Sequence, residues 1–247
     1  MKKVDLNVDI AEGFPHDKEL LQFATSANIC LGFHAGNREL TEGTYWNCVD
    51  LGIRKGAHPG YADRKSMGRG PRPVFGLDTD NESQHMVLLE LEFDYVKPHG
   101  TLYNASANAL PENWDVIDEP ISQGSSYDPT FGLLSSANVA AGEVAAFVGT
   151  LPLMGLPSST HEVIAKVCKT TLIREGFADR AYRPDGTLVP RSEPGAVLED
   201  PDQIKAQVLR LANEVDSICL HGDTPNCLEF AELVYKTLID AGYEVGY

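Results

Sequence analysis

The sequence predicts an α/β protein built on a mainly parallel sheet or barrel, and three observations carry that reading. Apolar, strand-like runs alternate with helical stretches along the 247 residues, as parallel strands joined by crossover helices require. Short polar segments containing glycine or proline follow several of those runs, where strands would turn into loops. Five of the seven histidines, His16, His34, His58, His99 and His221, lie within two residues of a glycine or proline in such segments. Strand ends that deliver polar groups to one rim are how α/β barrels and open α/β sheets build active sites.

The first strand is predicted over residues 4–10, where Val4, Leu6, Val8 and Ile10 alternate with Asp5, Asn7 and Asp9. Strict alternation puts the three polar residues on one face. Inside a barrel mouth they would bind a cation, hold a substrate or activate water; on an edge strand they would form only a solvated face. Residues 17–25 are predicted as a short helix, and 27–33 as a buried strand ending at His34. A helix over 39–51 is closed by Gly52, the residue type that favours a left-handed C-terminal cap. A strand over 53–57 stops at His58-Pro59-Gly60. The stretch 61–76, rich in Gly, Pro and Arg, is predicted as a long loop of the kind that commonly carries function.

Beyond it come a helix over 80–92 and a strand over 93–97 that stops at Pro98. Periodicity is faintest between 104 and 160, where 140–148 reads as a helix and 151–156 as a strand. A helix near 159–169, a strand over 170–174 and a turn at Arg183-Pro184-Asp185-Gly186 follow. The chain then reads as a helix over 202–213, a strand over 216–221, a helix over 225–241 and a terminal strand at 243–245. No repeat or linker divides it, so residues 1–247 are expected to form one domain.

The net charge of −16 opposes nucleic-acid or anionic-membrane partners, because the electrostatic term would be repulsive. Lys2 and Lys3 precede no apolar stretch, so no signal peptide is read. No run approaches the roughly 18 apolar residues that span a bilayer. A cytoplasmic location is expected. The cysteines at 30, 48, 168, 219 and 227 are odd in number and scattered, which predicts buried reduced thiols rather than disulfides or a zinc cluster.

Lys97 lies two residues before His99, on the same strand face, where an ammonium can bind a carboxylate or a developing oxyanion; taken alone it reads as a solvated charge at a strand terminus. Asp179-Arg180 would form a structural ion pair, or the arginine would recognise a carboxylate or phosphate. Gly68-Arg69-Gly70 offers backbone N–H groups and a guanidinium to an anion. No G-x-x-x-x-G-K-[ST], G-x-G-x-x-G or G-x-S-x-G motif occurs, which argues against a P-loop, a Rossmann site and a serine nucleophile elbow. H-x-x-x-H and C-x-x-C are also missing, so any metal ligands would have to gather from separate strands. Asp5-x-Asn7-x-Asp9-x-x-Glu12 lacks the glycine and the twelfth-position glutamate of a calcium loop.

Read together, the segments are Asp5-Leu6-Asn7-Val8-Asp9-Ile10-Ala11-Glu12, Ser26-Ala27-Asn28-Ile29-Cys30-Leu31-Gly32-Phe33-His34-Ala35-Gly36 and Gly56-Ala57-His58-Pro59-Gly60-Tyr61. Val96-Lys97-Pro98-His99-Gly100-Thr101-Leu102-Tyr103-Asn104, Phe177-Ala178-Asp179-Arg180-Ala181-Tyr182 and His221-Gly222-Asp223-Thr224-Pro225 follow. This ordered series resembles the LamB/YcsF lactam-utilisation family over nearly the whole chain, least so at 105–170. One departure is Ala11, where the family usually has the glycine of a D-x-G-E run.

The resemblance implies an irregular β/α barrel like that of the glycoside hydrolase/deacetylase superfamily. It also implies a part in the ATP-dependent opening of 5-oxoproline, or a related lactam, to L-glutamate, with ATP as co-substrate and separate oxoprolinase B and C subunits. On this reading Asp9, Glu12, Lys97 and His99 are the catalytic candidates. Asp5, Asn7, Asn28, His34, His58, Arg69, Asp179, Arg180, His221 and Asp223 are the substrate-binding candidates. A divalent metal is the alternative, held by Asp9, His34, His58 and His99. That alternative would fit a metal-dependent deacetylase or amidohydrolase of the same superfamily, and a non-catalytic lactam-binding subunit is a third reading.

Overall fold

A computed structural model describes residues 2–71, 79–108, 139–224 and 226–247. Seven parallel strands form its centre: β1 (Lys3–Ile10), β2 (Ser26–Cys30), β3 (Arg54–His58), β4 (Tyr95–Val96), β5 (Leu153–Gly155), β6 (Leu172–Phe177) and β7 (Ser217–His221). They pair in chain order, and β1 pairs with both β2 and β7, which closes the sheet into a barrel. A short strand β8 (Glu244–Val245) adds to β1 at Lys3 and Val4. The helices among the described residues are α1 (Asp17–Leu20), α2 (Arg38–Leu51), α3 (Thr79–Glu90), α4 (Gly100–Ala107), α5 (Val139–Val148), α6 (Thr160–Val167), α7 (Pro201–Glu214) and α8 (Cys227–Asp240). None is long and apolar enough to cross a membrane. Because every barrel strand runs the same way, all their C-terminal ends meet at one rim.

The alternation in β1 sorts residues between the inside and the outside of the barrel. Val4, Leu6, Val8 and Ile10 are fully buried. The first three pack with Ile204, Val208 and Leu211 of α7 and Val234 and Leu238 of α8. Burying each such side chain stabilises the fold by about 1.5–3 kcal/mol. A second apolar cluster joins Ile29, Cys48, Ala57, Val96, Val144 and Leu153 on the opposite side. The polar face of β1 therefore points into the barrel, not to solvent.

Interior layers of such barrels are ordinarily filled by branched apolar residues; here the filling is polar. At the base, the Asp5 carboxylate accepts hydrogen bonds from Thr25 Oγ1 and Ser26 Oγ, both at 2.7 Å, and from Ser217 Oγ. It also pairs with the Arg54 guanidinium at 3.0 Å. One layer up, Asn7 donates to Ser217 Oγ at 2.7 Å, while Asn28 donates to Asn7 Oδ1 at 2.7 Å and to Asp9 Oδ1 at 2.8 Å. Tyr95 crosses the interior to donate to Asn28 Oδ1 at 2.6 Å. It passes so close to Gly56 that a Cβ there would lie 2.3 Å from the ring. Each buried polar atom in this stack has a partner, which keeps its desolvation cost low.

Element types follow the sequence expectations, and the differences have local causes. The strand expected over 27–33 ends at Cys30 because Gly32, at φ 88°, turns the chain. The helix expected over 17–25 is a single turn. The strand expected over 170–174 runs instead over Leu172–Phe177, carrying Glu175 and Phe177 to the rim end. Helix α4 is not expected from sequence, since Gly100, Thr101, Asn104 and Ser106 are weak helix formers. Burial of Leu102, Tyr103 and Ala107 stabilises it instead. Gly52 caps α2 in the left-handed region as expected. The five cysteines are free, all buried except the half-buried Cys168. The expected loop is irregular over its described part, 61–71; its remainder lies outside the described residues.

Two expected outcomes follow from the local chemistry. Ala11 holds φ 64°, a left-handed conformation that costs an L-residue about 1–2 kcal/mol. Ala11→Gly should raise stability by about 1 kcal/mol, read as a rise of roughly 2–4 °C in the melting midpoint. His161 is fully buried; its Nδ1 accepts from the Leu156 N–H at 3.0 Å, so Nε2 carries the proton and donates to Ser106 Oγ at 2.9 Å. Burial pushes its pKa from 6.5 down to about 3. The folded chain thus stays neutral there while the unfolded chain takes up a proton. Stability should be fully present above pH 6.5 and fall steadily toward pH 3. Denaturant melts of His161→Gln should show lower stability at pH 7 but a shallower acid limb.

Candidate active site

The rim site is organised around a buried lysine. Lys97 follows β4 directly, and its N–H continues the strand pairing by donating to Ala57 O at 2.9 Å. This aims its side chain across the barrel. Its Nζ lies 2.8 Å from Asp9 Oδ1, 2.7 Å from Glu175 Oε1 and 3.0 Å from Cys219 Sγ. Only 2% of the lysine side chain is exposed. Burial opposes the ammonium charge, but Asp9, Cys219 and Glu175 outweigh it and raise the Lys97 pKa well above the ordinary value. Burial would likewise raise the Asp9 pKa. The Lys97 ammonium, then His58 and His221, hold it well below the usual carboxylate range. Both partners are therefore ionised at neutral pH.

Four acceptor-rich groups gather beside this pair. Nδ1 of His58 faces the Lys97 carbonyl at 2.8 Å, and its Nε2 lies 2.9 Å from His99 Nδ1 and 3.5 Å from Asp9 Oδ2. His99 turns Nε2 toward the Met67 carbonyl at 2.9 Å. Oε1 of Glu12 lies 3.2 Å from His34 Nε2 and 3.3 Å from His99 Nδ1. Burial disfavours charge on His34, but Cys30 and Glu12 raise its pKa to about 9. Burial and the neighbouring His34 and His58 push His99 the other way, well below its ordinary value. Gly60 and Gly68 let the covering loop approach: a Cβ on either would lie 2.7 Å and 3.0 Å, respectively, from His34 atoms.

On the other side, His221 is held by Asp179, with Nδ1 2.9 Å from Oδ1 and Nε2 3.9 Å from Asp9 Oδ2. Arg69 and Arg191 both reach Asp223 Oδ2 at 2.8 Å. Arg180 does not take up the ion pair with its neighbour Asp179. Its guanidinium donates to the Val189 and Ala196 carbonyls at 2.6 and 3.2 Å. A cavity of about 290 Å³ opens between these groups, walled by Asp9, Lys97, His58, His99 and His221 with Arg69, Arg180 and Arg191.

The sequence-derived candidates thus separate by depth. Asp9, Lys97, His58, His99, Arg69, Arg180 and His221 line the cavity. Glu12 and His34 lie behind the histidine wall, and Asp179 and Asp223 orient cavity residues. Asp5, Asn7 and Asn28 sit in the layers beneath, bonded to Ser26, Ser217, Arg54 and Tyr95, and they support the pair above: Asn28 donates to Asp9 Oδ1 at 2.8 Å and Asn7 Oδ1 accepts from Lys97 Nζ at 3.3 Å. They build the barrel interior and do not reach the cavity wall. The metal-capable set also differs from the expected one. Glu12, rather than Asp9, joins His34, His58 and His99, with all four donor atoms within 4.8 Å of one another. Asp9 groups with Cys219 and His221.

Sequence reasoning missed Glu175, Cys219 and Arg191. Glu175 falls past the end of the strand expected over 170–174. Cys219 reads as an ordinary buried thiol, and Arg191 sits in a stretch without periodicity. The Glu175-x-Phe177 alternation leading into Asp179 is the one signal that could have found the first.

Comparison with known proteins agrees with this architecture. The LamB/YcsF family matches residues 4–118 and 127–246. The A subunit of 5-oxoprolinase from Haemophilus influenzae (strain PittEE) is 37% identical over 96% of both chains. The same subunit from Neisseria meningitidis serogroup C (strain 053442) is 36% identical over 99% of both. Its counterpart from Pyrococcus furiosus is 33% identical, over 98% of this chain and 96% of its own. The crystal structure of a lactam utilization protein from Thermus thermophilus superposes with a TM-score of 0.73 at 28% identity, covering 100% of this chain and 99% of that one. By its sequence, its closed barrel and its rim segments, the chain belongs to the LamB/YcsF family.

Proposed function

We propose that this chain works in the cytoplasm as one subunit of an enzyme that opens 5-oxoproline to L-glutamate with hydrolysis of ATP, alongside separate B and C subunits. The observation that carries the reading is the buried Asp9–Lys97–Glu175 line beside a rim cavity ringed by arginines. It occurs in a chain similar over nearly its full length to proteins named as 5-oxoprolinase A subunits.

A five-membered lactam is a resonance-stabilised amide and a poor electrophile. Transfer of the γ-phosphoryl group of ATP to the lactam oxygen, releasing ADP, makes the carbon attackable. Water then adds and the ring C–N bond breaks with a proton delivered to nitrogen, which leaves an acyl phosphate. A second water cleaves that, releasing phosphate and the carboxylate of L-glutamate. Lys97 stands where an ammonium would counter negative charge on the substrate oxygens. Lys97 is bound to Asp9 Oδ1, and Asp9 Oδ2 is turned toward His58 and His221, placed to take the proton of the attacking water. With its Nδ1 fixed by Asp179, His221 is positioned to return a proton to the ring nitrogen. Arg69, Arg180 and Arg191 would bind the substrate carboxylate or a phosphoryl group. The cavity is at the small end of ligand sites, in keeping with a compact acid.

A second reading, a metal-dependent amide hydrolase acting alone, draws on the Glu12–His34–His58–His99 cluster. Assays of 5-oxoproline loss and ADP formation, with and without the B and C subunits, separate the two. The proposed function requires ATP and the partners; turnover by this chain alone without ATP overturns it. Within the complex, Lys97→Met should lower kcat by about 10²–10³-fold, and Asp9→Asn by about 10²–10⁴-fold. Arg191→Ala should act mainly on KM for 5-oxoproline, raising it roughly tenfold or more, the loss of one charged hydrogen bond.

A further inference from the structure

We infer that Glu12, His58 and His99 form a binding site for a divalent transition metal, with His34 as the residue that orients Glu12. The argument rests on where the ring protons must lie. His58 Nδ1 is 2.8 Å from the Lys97 carbonyl, and His99 Nε2 is 2.9 Å from the Met67 carbonyl. A carbonyl only accepts, so each of those nitrogens carries a hydrogen. In a neutral imidazole the other nitrogen is then a bare lone pair. Those two lone pairs, on His58 Nε2 and His99 Nδ1, face each other at 2.9 Å with the rings crossed at 82°. Glu12 Oε1 adds a third electron-pair donor 3.3 Å from His99 Nδ1. The two opposed imidazole nitrogens need a cation between them, a proton or a metal ion, and Glu12, held beside them by His34, supplies the carboxylate that a metal ion would add to the pair.

Pinning the distal N–H of a histidine to a backbone carbonyl is the outer-sphere arrangement that orients metal-binding imidazoles. Two imidazoles and one carboxylate suit zinc and neighbouring first-row divalent ions better than magnesium or calcium. His34 is excluded as a ligand by its stacking on His99, with ring centroids 4.0 Å apart and planes within 2° of parallel. Parallel planes share no point at which both nitrogens can direct a lone pair. Its Nε2 instead reaches Glu12 Oε1 at 3.2 Å. The neighbouring group of Asp9, Cys219 and His221 is not a second site, because the Lys97 ammonium already sits 2.8 Å from Asp9 and 3.0 Å from Cys219. A bound metal would supply Lewis-acid polarisation of an oxygen in the adjoining cavity. The inference is independent of the lactam reading, because it can be tested without substrate, ATP or partner subunits.

The test is calorimetric titration of the chelator-treated, full-length protein with zinc and cobalt(II) chlorides, with elemental analysis of the protein as purified. One equivalent should bind, and cobalt should give visible d–d absorption. His58→Gln and His99→Gln should each weaken binding by more than about 100-fold, whereas His34→Gln should keep one equivalent and lose roughly 10–100-fold, as an outer-sphere partner does. Absence of binding to folded protein, or unchanged affinity in the His58 and His99 variants, overturns the inference. Histidine ¹⁵N NMR on the unsubstituted protein guards against variants that fail to fold. A proton shared between His58 Nε2 and His99 Nδ1 that persists in excess zinc would also overturn it.

Discussion

The rest of the rim depends on one buried charge. Removing an ammonium or a carboxylate from water costs several kcal/mol even after relaxation. Lys97 can occupy the barrel interior only because Asp9 and Glu175 grip it at 2.8 and 2.7 Å from β1 and β6. Those strands are far apart in sequence and are brought to either side of β7, with which both pair. Breaking such a pair from one side strands the other charge, at about 3–5 kcal/mol. The barrel therefore holds the lysine in place, and the lysine in turn ties two walls of the barrel together.

Below this pair, the stack of Asp5, Asn7, Asn28, Ser26, Ser217 and Tyr95 replaces the apolar filling usual in such barrels. A fully satisfied polar network costs little but tolerates few alternatives, because any shift leaves a buried donor or acceptor without a partner. This fixes Asp9 from beneath through Asn28, while Lys97 and the histidines fix it from above. Preorganisation of that kind is what electrostatic catalysis needs, since no dipole has to be turned at the moment of reaction. The same rigidity holds His58 Nε2 and His99 Nδ1 facing each other at 2.9 Å.

Much of the fold was legible because parallel β/α barrels write a simple pattern. Short apolar runs, glycine or proline at their ends and helices between them marked most of the elements correctly. Helix α4 was not legible, since its residues are poor helix formers and only burial against α5 and the barrel stabilises it. The shift of β6 by a few residues had the same origin: pairing with β7, not local propensity, decides where it starts and stops. In the site, the rim histidines stood out from their setting beside glycine and proline, whereas Lys97 by itself read as a solvated charge and came forward only through the family resemblance. Glu175 and Cys219 were not visible, for neither has a local signature apart from its place on a strand.

By itself the sequence determined the alternation of β1, the turns after each strand and the set of polar groups at the strand ends. These are local properties, set by side-chain periodicity and by the backbone freedom of glycine. Only the tertiary structure decided that the polar face of β1 points into a closed barrel, that Asp9 goes with Lys97 while Glu12 goes with the histidines, and that Asp179 serves His221 rather than Arg180. The physical reason is that these partnerships join residues tens to hundreds of positions apart. Barrel closure and register set their distances, and the spacing of residues along the chain does not encode them.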